Sequence, residues 1–119
     1  MRALVTGGAK RLGREIALYL ASRGLDVVVH YNSSACEAED VVAEIKSLGK
    51  KAVAMKADLL DEDQVVELVP RAVKQLGGPL TMLVNNASIF EYDTILSATR
   101  DSWDRHIESN LRAPFVLTQ

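Results

Sequence analysis

Three short stretches combine residue types that could do chemistry. Thr6-Gly7-Gly8-Ala9-Lys10-Arg11-Leu12-Gly13 mixes glycines with two adjacent cations, and His30-Tyr31-Asn32-Ser33-Ser34 gathers polar groups without a carboxylate. Asn85-Asn86-Ala87-Ser88 sets two amides beside two small residues. The first stretch follows the apolar run Ala3-Leu4-Val5 and leads into Arg14-Glu15-Ile16-Ala17-Leu18-Tyr19-Leu20, which reads as strand, turn and amphipathic helix. Glycine allows backbone angles and a close approach that a Cβ forbids. The free N–H groups and the positive end of the new helix then form an anion site. A pyrophosphate suits it, and the strand-turn-helix context is what gives the glycine pattern its weight.

The second stretch closes the next strand, where a dinucleotide fold meets the adenosine ribose. An NAD site places Asp or Glu there to hold the 2′-hydroxyl. Here no carboxylate stands among residues 30–34, and Asp26 lies at the far end of the strand. Asn32, Ser33 and Ser34 can donate to a 2′-phosphate, with Lys10 and Arg11 adding positive charge from the first turn. This predicts NADP(H) over NAD(H). One of the serines should also cap the following helix.

The elements that must position these stretches alternate regularly. Asp26 precedes a β-branched run, Val27-Val28-Val29, that suits a parallel strand covered on both faces. Ala38, Val41, Val42, Ile45 and Leu48 recur at helical spacing, and Gly49 stops them. Ala52-Val53-Ala54-Met55 is a third strand. A capping box at Asp61-Glu62-Asp63-Gln64 opens a helix with Val65, Leu68, Val69, Ala72, Val73 and Leu76 on its inner face. Pro70 should kink that helix and Gly77-Gly78-Pro79 should end it. Leu80 to Val84 is a fourth strand, and a loop through Phe90 and Tyr92 reaches a last helix near Asp101. Four strands alternating with helices predict parallel βαβ units, about half of a doubly wound fold.

Trp103, Ile107, Leu111, Pro114 and Phe115 read as the inward face of that last helix, with Asn110 on the same face. A buried amide needs partners. Pro114 also denies the Asn110 carbonyl its usual helical donor, which should leave a free carbonyl on a kinked helix.

At 119 residues and a net charge of -2, the chain reads as one globular unit with no general attraction to nucleic acid or anionic membrane. A single cysteine, Cys36, excludes an internal disulfide and fits a reducing compartment, so the expected location is cytoplasmic. No apolar run approaches the roughly 18 residues of a membrane span. His30 and His106 have no ligand-spaced partners, so no metal site is expected.

Taken together, these residues resemble the short-chain dehydrogenases/reductases over the whole chain. Thr6 to Gly13 resembles the family's cofactor turn, Ala57-Asp58-Leu59 its adenine contact, and Asn85-Asn86-Ala87-Ser88 its Asn-Asn-Ala-Gly motif. Ser109-Asn110 and Pro114-Phe115 resemble the helix with its catalytic asparagine. Arg11 stands where most members carry a small residue, and Ser88-Ile89-Phe90 replaces the usual continuation. Both variations are similar to the pteridine reductases and the dihydromonapterin (alternative dihydrofolate) reductases. Asn32 departs from that group, which often has Arg there.

The resemblance implies a Rossmann-like, doubly wound α/β sheet, of which residues 1–119 would be the N-terminal, NADP-binding half. It implies cofactor contacts from Gly7, Lys10, Arg11, Leu12, Gly13, His30, Tyr31, Asn32, Ser33, Ser34, Asp58, Leu59, Asn86, Ala87 and Ser88. Phe90 would stack on a flat pterin, with Arg11 and Ser88 also touching the substrate. Asn110 would hold a water in the proton relay, and the assembly would be a homo-tetramer or dimer. The family's Tyr-x-x-x-Lys pair is absent from these residues, since Tyr19, Tyr31 and Tyr92 are followed four places on by Arg23, Ala35 and Leu96. The expected activity is NADPH-dependent hydride transfer to a small dihydropterin-type substrate. A ketone such as a 3-oxoacyl group, or a module that binds NADP(H) without chemistry, are the other readings.

Overall fold

The computed structural model describes all residues from Met1 to Gln119. Strand β1 (Arg2–Val5) lies between β2 (Asp26–Tyr31) and β4 (Met82–Val84), and β3 (Ala52–Lys56) pairs with the other edge of β2. The sheet is parallel throughout, in the order β3-β2-β1-β4. Helices α1 (Arg11–Ser22), α2 (Ala35–Ser47) and α3 (Glu62–Leu76) connect successive strands. After β4 come α4 (Arg100–Ile107), a π-helical turn (Glu108–Arg112) and α5 (Ala113–Thr118). This is the predicted Rossmann-like half-sheet, and the strand order reverses direction beside β1, where such folds bind ligands.

Period-two alternation divides the core between two faces. β1 sends Ala3 and Val5 to one side and Leu4 to the other, and β2 divides Val27 and Val29 from Val28. Ala17 and Ala21 of α1, with Val41 and Ile45 of α2, cover the first face. Leu68 and Leu76 of α3, with Ala113 and Leu117 near the end of the chain, cover the second. Each fully buried Leu or Val contributes roughly 1.5–3 kcal/mol.

Local signals set most boundaries. The Asp61 carboxylate caps α3, accepting from the N–H of Asp63 at 3.0 Å and of Gln64 at 3.4 Å. Gln64 does not return to the Asp61 backbone as a capping box would. Its Oε1 accepts the Asp58 N–H at 2.8 Å, so the cap also holds the loop after β3. α3 continues through Pro70 and ends at Gly77, whose φ of 75° only glycine adopts freely. β4 begins two residues later than predicted. Thr81 instead meets Arg2, its N–H donating to the Arg2 carbonyl at 2.8 Å and its hydroxyl accepting the Arg2 N–H at 3.1 Å.

The last helix corrects the reading of its faces. Trp103, Leu111 and Phe115 are 60% or more exposed, and Ile107 is 37% exposed. The side turned to the sheet carries Ser109, Ala113 and Leu117. Both sets are spaced by four, because the π-helical turn takes up an extra residue: the Ala113 N–H bonds to the Glu108 carbonyl, five residues back. Pro114, lacking an N–H, sits at the start of α5. The helix thus widens around Asn110, and Asn110 itself is exposed, not buried.

Candidate dinucleotide and substrate site

β1 runs out into a turn whose shape depends on two glycines. Gly7 holds a φ of 62°, and a Cβ at Gly13 would lie 2.6 Å from Asn86 Nδ2 and 2.8 Å from the Gly7 carbonyl carbon. The exits of β1 and β4 are tied across this point. Buried Thr6 accepts the N–H groups of Asn86 and Ala87 on its Oγ1, each at 3.0 Å. Asn86 returns its Nδ2 to the carbonyls of Thr6 at 3.0 Å and Gly7 at 3.2 Å. The Asn86 side chain, expected to touch cofactor, therefore holds the turn in place.

His30 is likewise committed within the protein. It is 2% exposed, its Nδ1 accepts the Gly7 N–H at 3.0 Å, and its Nε2 lies 2.8 Å from the Ala57 carbonyl. Both ring nitrogens are used, so only the ring's edge or face is left for a ligand. Burial pushes its pKa below the ordinary 6.5, with the Ala57 carbonyl opposing. Strand alternation turns the next residue, Tyr31, to the other side, where it packs against the α1–α2 cluster.

Arg11 is the one non-glycine residue with positive φ, at 50°. A left-handed backbone costs an L-residue roughly 1–2 kcal/mol, which explains why a small residue commonly stands at this point of the motif. Lys10 is paired with Glu37 at 3.5 Å, one turn into α2. Glu37 is a carboxylate near the expected 2′-phosphate loop, and reading residues 30–34 alone missed it. Asn32 and Ser33 are exposed, and Ser34 occupies the N-cap of α2 without using its hydroxyl as a cap.

These elements enclose a cavity of about 490 Å³ above the carboxyl ends of the strands. Gly7, Lys10, Arg11, Leu12 and Gly13 line it from the turn and the start of α1, His30 from β2, Asn32 from just beyond it, and Asp58 and Leu59 from the loop after β3. Asn86, Ala87 and Ser88 complete the predicted set. Tyr31, Ser33, Ser34, Phe90 and Asn110 are not in the lining, whereas Leu60, Ile89, Arg105 and Ser109 are. Ile89 and Ser109 stand inside the Ser88-Ile89-Phe90 and Ser109-Asn110 motifs, whereas no motif marked Leu60 and Arg105. Arg105 and Ser109 are four apart on adjoining helical turns, which is the signal that could have found them.

The loop after β4 is fastened to α4 and the π-turn by side chains. Asn110 accepts the Ile89 N–H on Oδ1 and donates Nδ2 to the Ile89 carbonyl, both at 2.9 Å. His106 Nε2 accepts the Glu91 N–H at 3.1 Å while its Nδ1 donates to the Ser102 carbonyl at 2.7 Å. Arg105 grips the Glu91 carboxylate with Nη2 at 2.6 Å and Nε at 3.1 Å, holding it below the usual carboxylate range. Asp93 is lowered too, by hydrogen bonds from Ser102 and Ser97. Phe90 sits between the anchored residues 89 and 91 and is 85% exposed.

The sequence matches the short chain dehydrogenase family over residues 1–119. The chain belongs to that family. It is 41% identical over 117 residues to the 3-oxoacyl-[acyl-carrier-protein] reductase FabG of Staphylococcus aureus, covering 98% of this chain and 47% of that protein. Its fold superposes with a TM-score of 0.94 on a short chain dehydrogenase from Burkholderia cenocepacia in complex with NADP, at 43% identity over 99% of this chain and 48% of that one. FolM, alternative dihydrofolate reductase 1, from Brucella suis in complex with NADP gives 0.93 at 39% identity, over 98% and 48% of the two chains. The chain spans about half the length of the curated relatives it matches.

The short-chain dehydrogenase fold accounts for the cavity's construction. Its lining draws on the loop after β3, the glycine turn, the first turn of α1 and the loop after β4 as far as Ile89. A dinucleotide fits this donor set: a Cβ-free approach for pyrophosphate, an apolar Leu59 and an Asp58 carboxylate for adenine, and no carboxylate on β2's exit. Asp58 Oδ1 accepts the Leu60 N–H at 2.9 Å, which shapes the loop after β3.

Proposed function

We propose that residues 1–119 form the NADP(H)-binding part of an NADPH-dependent oxidoreductase whose substrate is a pterin-type ring such as a dihydropterin, dihydromonapterin or dihydrofolate. Bound NADPH supplies the hydride. The chain's own residues hold it: the turn from Gly7 to Gly13 and the start of α1 take the pyrophosphate. Asp58 and Leu59 take the adenine. Asn32 and Ser33, with Ser34 and Lys10, take the 2′-phosphate. For Lys10 this means exchanging its Glu37 partner for a stronger anion. Ser88 and Ile89 limit the far end, where hydride would pass. The reaction's proton comes from a Tyr-x-x-x-Lys pair outside these residues, with Asn110 in the relay as the family resemblance implies.

Arg11 carries the pterin reading. Its guanidinium stands on a backbone that glycine would adopt at lower cost, and Arg11 lines the same cavity as Ser88. Strain of this kind persists where function uses it, and a planar donor fork matches a flat heterocycle with several acceptors. The FabG relative favours a second reading, a 3-oxoacyl or other ketone substrate. We further infer a cytoplasmic homodimer or homotetramer. The exposed stripe of Trp103, Ile107, Leu111 and Phe115 supports the assembly, and no helix is long and apolar enough to cross a membrane.

The test is turnover of the full-length protein with NADPH on a dihydropterin and on a ketone panel, for wild type and Arg11→Gly. Glycine should stabilise the fold by about 1 kcal/mol, since it removes the left-handed strain, while dihydropterin turnover falls and any ketone turnover persists. Turnover of ketones alone would overturn the pterin reading.

A further inference from the structure

We propose that His30 is a positioning residue for the dinucleotide, joining the pyrophosphate turn to the adenine loop through a neutral imidazole, so that protonating this ring releases the cofactor. The proposal rests on the dinucleotide reading of the cavity and adds what keeps that cavity's two ends in register.

The partners decide the tautomer. A backbone N–H can only donate, so Nδ1, 3.0 Å from the Gly7 nitrogen, is the accepting nitrogen. A carbonyl can only accept, so Nε2, 2.8 Å from the Ala57 oxygen, carries the proton. The His30 carbonyl also accepts the Gly8 N–H at 2.9 Å. One residue thus holds two successive glycines of the turn on one side and the loop leading to Asp58 on the other. Its partners lie 23 and 27 residues away in sequence, on β1's exit and β3's exit.

An added proton has no place to go. Imidazolium would point Nδ1–H at the Gly7 N–H, donor against donor, inside a site that is 2% exposed. The charged side chains that line the cavity with it are Lys10 and Arg11 on the turn, Asp58 after β3 and Arg105 on α4; Lys56 at the end of β3 and the charged residues of α3, Glu62, Asp63, Glu67, Arg71 and Lys74, are exposed. The ring's titration is governed by burial, which lowers it, and by the Ala57 carbonyl, which raises it. The sign follows. The folded site disfavours the proton relative to the free side chain, so the arrangement is intact at and above the ordinary 6.5 and is lost only as pH falls through the ring's own, depressed value. NADPH, which needs the turn intact, should follow the same course.

The experiment is NADPH affinity of the full-length protein from pH 7.5 downward, read by nicotinamide fluorescence, for wild type, His30→Asn and His30→Leu. Asparagine places Oδ1 where Nδ1 accepts but cannot be protonated, and leucine supplies neither bond. The 2′-phosphate of NADPH titrates in the same range, but identically in all three proteins, so the difference between them isolates His30. Wild-type affinity should acquire an extra loss approaching tenfold per pH unit at low pH, the slope of one proton. His30→Asn should lack that extra loss, and His30→Leu should bind more weakly at every pH. Nitrogen NMR of the wild-type ring reads the same claim without a substitution, and should show the Nε2–H tautomer protonating as NADPH leaves. Equal pH profiles for wild type and His30→Asn, or an Nδ1–H tautomer, would overturn the proposal. No binding by wild type at pH 7.5 would overturn the dinucleotide reading and this one with it.

Discussion

The glycine turn and the loop after β4 line the same cavity but are held by opposite means. At the turn, Thr6 and His30 are buried and Asn86 is partly buried, and all three are bonded to backbone atoms of neighbouring strand exits. At the loop, Ser102, Arg105, His106 and Asn110 reach out from helical turns to a largely exposed segment at Ile89, Glu91 and Asp93. Low local dielectric strengthens the first set and makes each loss expensive, whereas water competes with the second. The glycine-turn end of the cavity is therefore built into the sheet, and the end at the loop after β4 is adjusted by a few surface side chains.

The sharpest break should come at Gly13. A Cβ there meets the Gly7 carbonyl and the Asn86 amide, and neither can move without disturbing Thr6 or His30. Gly13→Ala should cost about 1–3 kcal/mol in chemical denaturation, the range for overpacking a tight interior, and NADPH titration should show binding largely abolished. Unchanged affinity would mean that the turn is softer than its hydrogen bonds imply.

A matched pair of asparagines tests the comparison directly. Asn86 and Asn110 each make two hydrogen bonds to backbone across a gap of 79 to 80 and of 21 residues respectively. Asn86→Ala strands the half-buried carbonyls of Thr6 and Gly7 and should cost roughly 1–3 kcal/mol. Asn110→Ala exposes its partners to water and should cost less than about 1 kcal/mol in the same urea series. Equal costs would erase the distinction between the two regions.

The same distinction explains what the sequence made legible. The order of strands and helices, the glycine turn and the missing β2 carboxylate are local patterns, and local patterns survive in a linear chain. His30 reads as one more polar residue at a strand end, because its partners come from two other strands. Glu37 belongs to a helix turn beyond residues 30–34, so the local pattern of that loop does not contain it. The stripe from Trp103 to Phe115 looked inward because apolar side chains at helical spacing usually are. Its spacing of four, sustained over thirteen positions, suits a widened helix better than a regular one, and the buried set turned out to be Ser109, Ala113 and Leu117. Small residues give little signal of burial.

The gentlest test falls on the loop. Glu91→Gln removes the charge that Arg105 grips but keeps the backbone N–H that His106 accepts. An exposed ion pair contributes little to stability and is screened by salt, so unfolding should be almost unchanged at high ionic strength. Loss of the pair should loosen the segment that carries Phe90, raising KM for substrate while leaving NADPH affinity intact. The pH course has the same sign as that of His30, since both arrangements are lost in acid. The carboxyls of Glu91 and Asp93 are lowered by hydrogen bonds from Arg105 and Ser102 respectively, so their tethers are present above the ordinary carboxylate values near 4. They are lost as pH falls through still lower values. Acid should therefore weaken cofactor binding as His30 protonates somewhere below pH 6.5, while the Arg105–Glu91 pair persists down to the carboxylate range, and hydrogen exchange at Gly7 and the carboxyl carbon shift of Glu91 would report the two sides separately.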